Sequence, residues 1–413
     1  MKTAESSDWK ANHERRSLST GLGFALFLVA CLALVAWVRW TGPAQPDNIT
    51  ARAEQIRVLR FVDQPDGSIQ VIDAIGLTMH TPKAIVIGSG FGGLAAAVRL
   101  SCKGYQVQIL EKLDAPGGRA YVHRQDGFTF DAGPTIITAP QLLEELWALC
   151  GKKFADHITL KAMEPFYRIR FDDGSWFDYS GDEATMRREV ARFCPDDLAG
   201  YDRFVAAADQ ACQLGFEDLG GMPFNTIGDL LAALPSMMRM KAWESLYTLV
   251  ARHISDPKLR QVFSFHPLLI GGNPFSVTRV YSLINTLERR WGVHWAMGGT
   301  GALVRGLVDL LQERGVSLRC NAAVTRINVR NGQATGVTLE SGEVLDADVV
   351  ISNGDAAWTY RYLIEAKDRR HWTDRKIERS KYSMSLFVWY FGTRRRYEDV
   401  PHHMILLGPG YCE

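Results

Sequence analysis

The sequence of 413 residues lacks several kinds of motif. Its seven cysteines contain no CxxC pair and its ten histidines show no metal-ligand spacing, so no metal site is predicted. Lys and Arg number 47 against 46 Asp and Glu, and the formal net charge of +1 gives no electrostatic reason to expect nucleic acid as a partner. The scattered cysteines are typical of free thiols in a reducing compartment.

The composition is that of a folded globular protein. A hydrophobic content of 46% in a chain of 413 residues is enough for two or more domains with sizeable cores. The disordered and fibrous classes are therefore excluded, and motifs along the chain must decide its function.

The clearest motif is the stretch 83–93, KAIVIGSGFGG, in which an apolar strand runs directly into glycines. Gly88 would form the tight turn, Gly90 would let a pyrophosphate approach the backbone, and Gly93 would let the next helix pack on the strand. A helix and a second strand, QVQILE, follow, and Glu111 ends that strand where a ribose-binding acid is expected. The pattern predicts a dinucleotide-binding domain with the pyrophosphate at the helix N-terminus; the alternative is a glycine-rich loop without a ligand.

Further motifs follow the turn in a fixed order. They are GGRA at 117–120, GFTFDAGPT at 127–135, PFYRIRF at 165–171, FSFHPLLIGGNPF at 263–275, GGTGALVRGL at 298–307 and VISNGD at 350–355. By these motifs the chain resembles the bacterial-type phytoene desaturases, which are flavoproteins of the amine-oxidase superfamily. The resemblance extends to Tyr411 and covers about four fifths of the chain.

The resemblance implies an α/β fold: an FAD-binding Rossmann-like domain with a β-sheet substrate domain and a helical insertion, preceded by one transmembrane helix. FAD is the implied cofactor. In addition to the turn glycines and Glu111, the resemblance implies two further contacts with the cofactor. Gly118 and Arg119 would approach it from the following loop, and the backbone of Val324 would contact the adenine. The implied cofactor-binding residues are Gly88, Gly90, Gly93, Glu111, Gly118, Arg119 and Val324.

The implied reaction is stepwise dehydrogenation of phytoene and partly desaturated carotenes toward neurosporene or lycopene, with oxygen or a quinone as electron acceptor. Asp229 matches a carboxylate proposed as general acid or base in the family, although it is also placed to cap the helix DLLAALPSMM. Alternatives are another carotenoid desaturase or ketolase, an amine oxidase, and a non-catalytic membrane-anchored remnant that acts in assembly.

The N-terminal part contains a candidate transmembrane segment. Residues 18–38 form an uncharged apolar run of about 21 residues, long enough to cross a bilayer, and we expect an anchor rather than a signal peptide. Lys10, Arg15 and Arg16 against Arg39 favour a cytoplasmic N-terminus, which would leave the flavin domain outside, where free FAD is scarce. Our expectation is a membrane-associated protein with its flavin domain on the cytoplasmic side.

A β-hairpin is predicted between the anchor and the glycine turn, where residues 57–74 alternate around Asp66 and Gly67. Tail, helix and hairpin resemble the start of the photosynthetic-complex assembly proteins of phototrophic bacteria. Residues 1 to about 80 are therefore expected to be foreign to the desaturase, joined by gene fusion or by an error in the reading frame.

The predicted organisation has five parts: a tail and transmembrane helix at 1–42, a linker with the hairpin at 43–80, an FAD-binding domain at 81–156 and 292–358, a substrate domain at 157–181 and 359–413, and a helical, membrane-contacting insertion at 182–291. The second flavin-binding segment of the family is absent before Glu413, so we expect a C-terminally truncated chain that retains flavin poorly and has little activity. The amphipathic stretch 230–250 would either dip into the membrane or pack in a helical core.

Overall fold

The computed structural model describes residues 59–63, 69–73, 81–221, 226–369, 371–384 and 386–412. The chain divides into two units, residues 1–80 and residues 81–413. In the first unit, strands β1 (Leu59–Asp63) and β2 (Ile69–Asp73) pair antiparallel. They lie within the stretch whose alternation predicts a hairpin, while the turn at Asp66 and Gly67 is outside the described residues.

The predicted transmembrane helix at 18–38 also lies outside the described residues. Within the described ranges, no helix is both long enough and apolar enough to cross a membrane. The anchor therefore stays a prediction from the sequence.

The second unit contains fourteen strands and eleven α-helices among its described residues. The strands are β3 (Lys83–Ile87), β4 (Gln106–Leu110), β5 (Val122–Gln125), β6 (Phe128–Asp131), β7 (Leu160–Ala162), β8 (Tyr167–Phe171), β9 (Trp176–Tyr179), β10 (His294–Ala296), β11 (Ser317–Arg319), β12 (Val324–Arg330), β13 (Gln333–Leu339), β14 (Val344–Asp346), β15 (Val349–Ser352) and β16 (Met404–Leu407). The helices are α1 (Phe91–Cys102), α2 (Gln141–Leu149), α3 (Glu183–Phe193), α4 (Leu198–Cys212), α5 (Ile227–Arg239), α6 (Leu246–His253), α7 (Pro257–Ser264), α8 (Leu283–Trp291), α9 (Thr300–Glu313), α10 (Ala356–Trp358) and α11 (Asp374–Glu378).

A four-stranded parallel sheet in the order β11-β4-β3-β15 forms the first layer. This is the strand order of the mononucleotide-binding half of a doubly wound fold, and it reverses between β3 and β15. In such sheets the ligand binds outside the carboxyl ends of the strands at that reversal. The glycine turn after β3 lies at this edge.

The sheet is buried on both faces, as expected for parallel strands. On β3, Ala84 and Val86 join one apolar cluster, which α1 and α9 cover with residues such as Leu94 and Leu307. Ile85 faces the opposite cluster, which includes residues of the three-stranded sheet β12-β13-β14. That sheet is an antiparallel meander, as the alternating stretches around the turns Asn331-Gly332 and Ser341-Gly342 predict.

A second core lies under the sheet β16-β8-β9. Strands β8 and β9 form the hairpin that the alternating pattern around 172–175 predicts, and β16 adds to β8 in parallel. Helices α3 to α8 occupy residues 183–291, the stretch predicted to be largely helical. Their buried side chains, including Phe204 and Phe263, pack on the hairpin residues Phe177 and Tyr179.

A buried polar network crosses this apolar core. The carboxylate of Glu288, which is 0% exposed, accepts a hydrogen bond from the Tyr167 hydroxyl at 2.6 Å and lies 3.1 Å from Nε2 of His266. Asn285, one turn earlier on α8, donates to the hydroxyl of Tyr179. Buried polar groups need hydrogen-bond partners, and these side chains satisfy one another. The network therefore joins α8 to both strands of the hairpin, β8 and β9.

Candidate functional site

The turn from β3 to α1 is built by the backbone. Gly88 has a φ of +90°, which favours glycine, and its N–H donates to the carbonyl of Leu110 on β4 at 2.8 Å. Helix α1 begins after the N-cap residue Gly90, with no side-chain cap and no acidic residue in its first turn. The positive end of the helix dipole therefore has no negative side chain of its own first turn to satisfy it.

Gly93 shows why the third glycine is required. A Cβ atom added there would lie 2.1 Å from the carbonyl oxygen of Gly88, far inside van der Waals contact. The missing side chain lets α1 approach the strand that precedes it, as the sequence predicts. Glycine is thus required at position 93 for helix–strand packing, whereas at position 88 it is required for its positive φ angle.

The loop 117–119 packs against the turn, backbone to backbone. The N–H of Gly117 donates to the carbonyl of Ser89 at 3.0 Å, and a Cβ added to Gly118, whose φ is +58°, would lie 3.1 Å from Cα of Gly90. The structure thus brings together the two glycine motifs that the sequence predicts on the cofactor. Together they form a closely packed backbone surface in which glycines leave room for the neighbouring motif.

Arg119 extends from the same loop. Its side chain is exposed, and it forms no ion pair or hydrogen bond with any other residue of the described ranges. A guanidinium without a carboxylate partner, on a loop that packs against the glycine turn, suits a phosphate group.

Glu111 lies at the carboxyl end of β4 and is 4% exposed. Its Oε2 accepts hydrogen bonds from the N–H of Ser89 at 2.8 Å and from the Ser89 hydroxyl at 2.6 Å, and its Oε1 accepts from the N–H of Leu113 at 3.0 Å. These contacts fix the carboxylate beside the glycine turn. Contact with Ser89 was not predicted from the sequence, because nothing in the spacing indicates it.

Val324 opens β12 and is half-buried, opposite Leu339. Two residues before Val324, Ala322 donates its N–H to the carbonyl of Glu111 at the end of β4, at 2.8 Å. Cys320 precedes this contact, and burial, with the charges of Glu111 and Asp114, raises the pKa of its thiol. Val324 therefore starts its strand close to the predicted ribose-binding acid, and its contact with the adenine stays a prediction.

Asp229 lies apart from these motifs in the helical region, at the start of α5. Its Oδ2 accepts from the N–H of Thr226 at 2.8 Å, while the Thr226 hydroxyl accepts from the N–H of Asp229 at 3.2 Å. This reciprocal pair is a capping box. It accounts for Asp229 without a catalytic role, so that role stays a prediction.

The described residues fit a dinucleotide. The backbone cradle at 88–93 and 117–118, the unpaired cation of Arg119 and the buried acid Glu111 suit a pyrophosphate and a ribose, respectively. Within the ranges the structure describes, no cluster of three or more His, Cys, Asp or Glu side chains could hold a metal ion. The donor set is that of a nucleotide cofactor.

This fold and site define a nucleotide-binding protein of the Rossmann-like, flavoprotein class. The chain belongs to the family described as flavin containing amine oxidoreductase, which it matches over residues 91–409. The family confirms the predicted cofactor, FAD, and the predicted class of FAD-dependent oxidoreductase.

Individual relatives are similar over about four fifths of the chain. The chain is 47% identical over 340 residues to a lycopene-forming phytoene desaturase of Paracoccus sp., which covers 82% of this chain and 68% of that one. It is 46% identical to a neurosporene-forming phytoene desaturase of Cereibacter sphaeroides, over 80% of this chain and 64% of that one. A solved structure from Pyrococcus furiosus shares the fold with a TM-score of 0.50 at 19% identity, over 73% of this chain and 66% of that one.

Proposed function

We propose that this chain is an FAD-dependent phytoene desaturase that dehydrogenates phytoene stepwise toward neurosporene or lycopene. The observation that carries the proposal is a glycine cradle with the buried carboxylate of Glu111 beside it, in a chain 46% to 47% identical to two phytoene desaturases. The chain spans 64% to 68% of the length of these relatives. Because the chain covers only part of these relatives, its activity and substrate are proposals.

The residues of the chain would hold the cofactor by its polar end. Bound FAD supplies a two-electron acceptor for a hydride from an allylic carbon. The N-terminus of α1 and Arg119 would neutralise the pyrophosphate, and Glu111 would accept hydrogen bonds from the ribose.

The direct test is conversion of phytoene by the purified chain in liposomes with added FAD, and with oxygen or a quinone as electron acceptor. We expect loss of phytoene and the appearance of longer conjugated polyenes on chromatography with absorbance detection. The longest product would give the number of steps. An oxygenated product would favour a ketolase instead, and FAD binding without conversion of any carotene would favour the non-catalytic alternative.

The capping box offers a sharp test of a catalytic role for Asp229. In the Asp229→Asn variant an amide oxygen can still accept from the N–H of Thr226, so the helix cap survives while the acid is lost. If Asp229 is the general acid or base, the rate should fall about 100-fold with the thermal midpoint unchanged. An active Asp229→Asn variant beside a destabilised Asp229→Ala variant would leave Asp229 as a capping residue only.

Helix α5 supports a proposal that the protein takes its substrate from a lipid membrane. The apolar side chains Ile227 and Leu230 are 67% and 45% exposed, and the exposed basic residues Arg239 and Lys241 lie at the far end of the same segment. Apolar and basic side chains together suit an interface of anionic lipids. The second half of the stretch 230–250 differs, because Leu246 and its neighbours belong to the buried core.

We expect the double variant Ile227→Ser and Leu230→Ser to lower binding to phosphatidylglycerol-containing vesicles about tenfold, because it removes the exposed apolar surface that lipid would cover. Flotation of the full chain with vesicles measures this. Leu406→Ser is the matched control, since Leu406 is 72% exposed but lies on β16. Equal loss in both variants would count against α5 as the contact.

The proposed location is the membrane surface, with the flavin domain on the cytoplasmic side, where FAD is available. A membrane-impermeant maleimide applied to intact cells tests the sidedness through the partly exposed thiol of Cys194. Protection in intact cells and labelling after lysis would agree with a cytoplasmic flavin domain. Labelling of intact cells would contradict it.

A further inference from the structure

Asn353 lies where the strand order of the parallel sheet reverses. It follows β15, which pairs in parallel with β3, and its N–H donates to the carbonyl of Ile87 at 2.8 Å. The ladder between the two strands therefore continues to the first residue before the glycine turn. This is the edge at which doubly wound sheets bind their ligand.

The glycines of the turn are shaped around the side chain of Asn353. A Cβ added to Gly90, Gly92 or Gly93 would lie 3.0, 2.5 and 3.2 Å, respectively, from an atom of the Asn353 carboxamide. A Cβ at Gly88 would make only ordinary contact, at 3.9 Å from Asn353. The carboxamide thus lies against the first turn of α1, in space that three missing side chains leave free.

No hydrogen bond satisfies this carboxamide within the part of the chain that the structure describes. Its Nδ2 has two N–H donors and its surroundings are half-buried, so a partner would be worth more than one in open water. The neighbouring helix N-terminus also lacks an acidic cap. Donors without acceptors therefore gather at one point, which is the requirement for an anion.

We propose that the Asn353 carboxamide is a further ligand of the cofactor, donating a hydrogen bond from Nδ2 to the pyrophosphate. The sequence motif VISNGD then has a function at the glycine turn. Its strand, β15, forms the edge of the parallel sheet, and Asn353 directly after it supplies a hydrogen-bond donor. The inference rests on the FAD cofactor of the proposed function and requires no catalysis. Gly92 acquires a reason as well, since only glycine leaves room for this amide.

Binding of ADP and of adenosine to the full chain tests the inference, measured by displacement of FAD with flavin fluorescence as the signal. Asn353→Asp keeps the shape of the side chain but replaces the donor with a negative charge. We expect it to weaken ADP and FAD at least about tenfold and to leave adenosine within about twofold. Asn353→Ala should weaken ADP about fivefold for loss of the donor alone.

A second pair of variants keeps the test independent of folding. Gly92→Ala suits a helix but places its Cβ 2.5 Å from the Asn353 amide oxygen, so it should weaken ADP on its own and have little further effect when Asn353 is alanine. Gly408→Ala is the control, because a Cβ there meets nothing within 4 Å. Circular dichroism would verify that each variant is folded.

Three results would overturn the inference: a folded Asn353→Asp variant that binds ADP like the wild type, equal losses for ADP and adenosine, or a wild-type chain that binds neither FAD nor ADP. A chain that binds ADP through Asn353 but never converts phytoene would leave the inference standing. In that case the desaturase activity alone would be refuted.

Discussion

Gly93→Ala is expected to abolish flavin binding and to destabilise the second unit on the order of 3 kcal/mol. The added Cβ would lie 2.1 Å from the carbonyl oxygen of Gly88, so α1 must move away from β3. Movement of α1 separates its N–H groups from the loop at Gly117 and Gly118 and opens the cradle. The fraction of bound flavin after gel filtration and the urea midpoint measure the two effects.

The matched control for this variant is Gly408→Ala, which adds the same methyl group in open space. It should change stability by no more than about 0.5 kcal/mol and leave flavin binding intact. If Gly93→Ala binds flavin as the wild type does, the close packing of α1 on β3 is not what builds the site.

Glu288→Leu is expected to destabilise the protein by about 3 kcal/mol, because it removes the acceptor that satisfies two other buried polar groups. The Tyr167 hydroxyl, 2.6 Å from Oε1, and His266 would both lose their partner in the core. Burial and then the charge of Glu288 raise the pKa of Tyr167 well above its usual range, so this hydroxyl remains a donor throughout the accessible pH range. Thermal and urea unfolding measure the loss.

A double-mutant cycle separates the network from simple loss of packing. Tyr167→Phe alone should cost about 1 kcal/mol, and the two substitutions together should cost less than their sum, since each removes the same hydrogen bond. Glu313→Gln is the control: its carboxylate pairs with Lys152 at the surface, where an ion pair contributes little. Strict additivity of Tyr167→Phe and Glu288→Leu would show that the hydrogen bond does not stabilise the fold.

Local patterns predict a large part of this molecule. The glycines at 88, 90 and 93, the strands on either side of α1, the hairpin of β8 and β9, and the meander all follow from spacing and alternation within short stretches. These features succeed because their reasons are local: a turn angle, a helix packed on the strand before it, or a two-residue period. The family and its flavin follow from the same motifs.

The sequence is less informative about Asp229 and the stretch 230–250. Asp229 could be a catalytic acid or a helix cap, and the stretch could contact a membrane or pack in a core. In the structure Asp229 forms a capping box, and the stretch divides into α5, which has exposed apolar residues, and the buried α6. The amphipathic pattern alone could not separate these cases, because the same spacing of apolar residues serves a core or a membrane.

The sequence by itself determined the glycine turn and the strand–helix–strand unit of the α/β domain, since these elements follow one another along the chain. The role of Glu111 at the ribose stays a prediction. The tertiary structure alone decided that Asn353 lies against the turn glycines and that Tyr167 finds Glu288 across 121 residues. Both contacts join distant segments through the sheet edge or the core. Contacts of this kind are set by how layers pack, and no local pattern of residues encodes them.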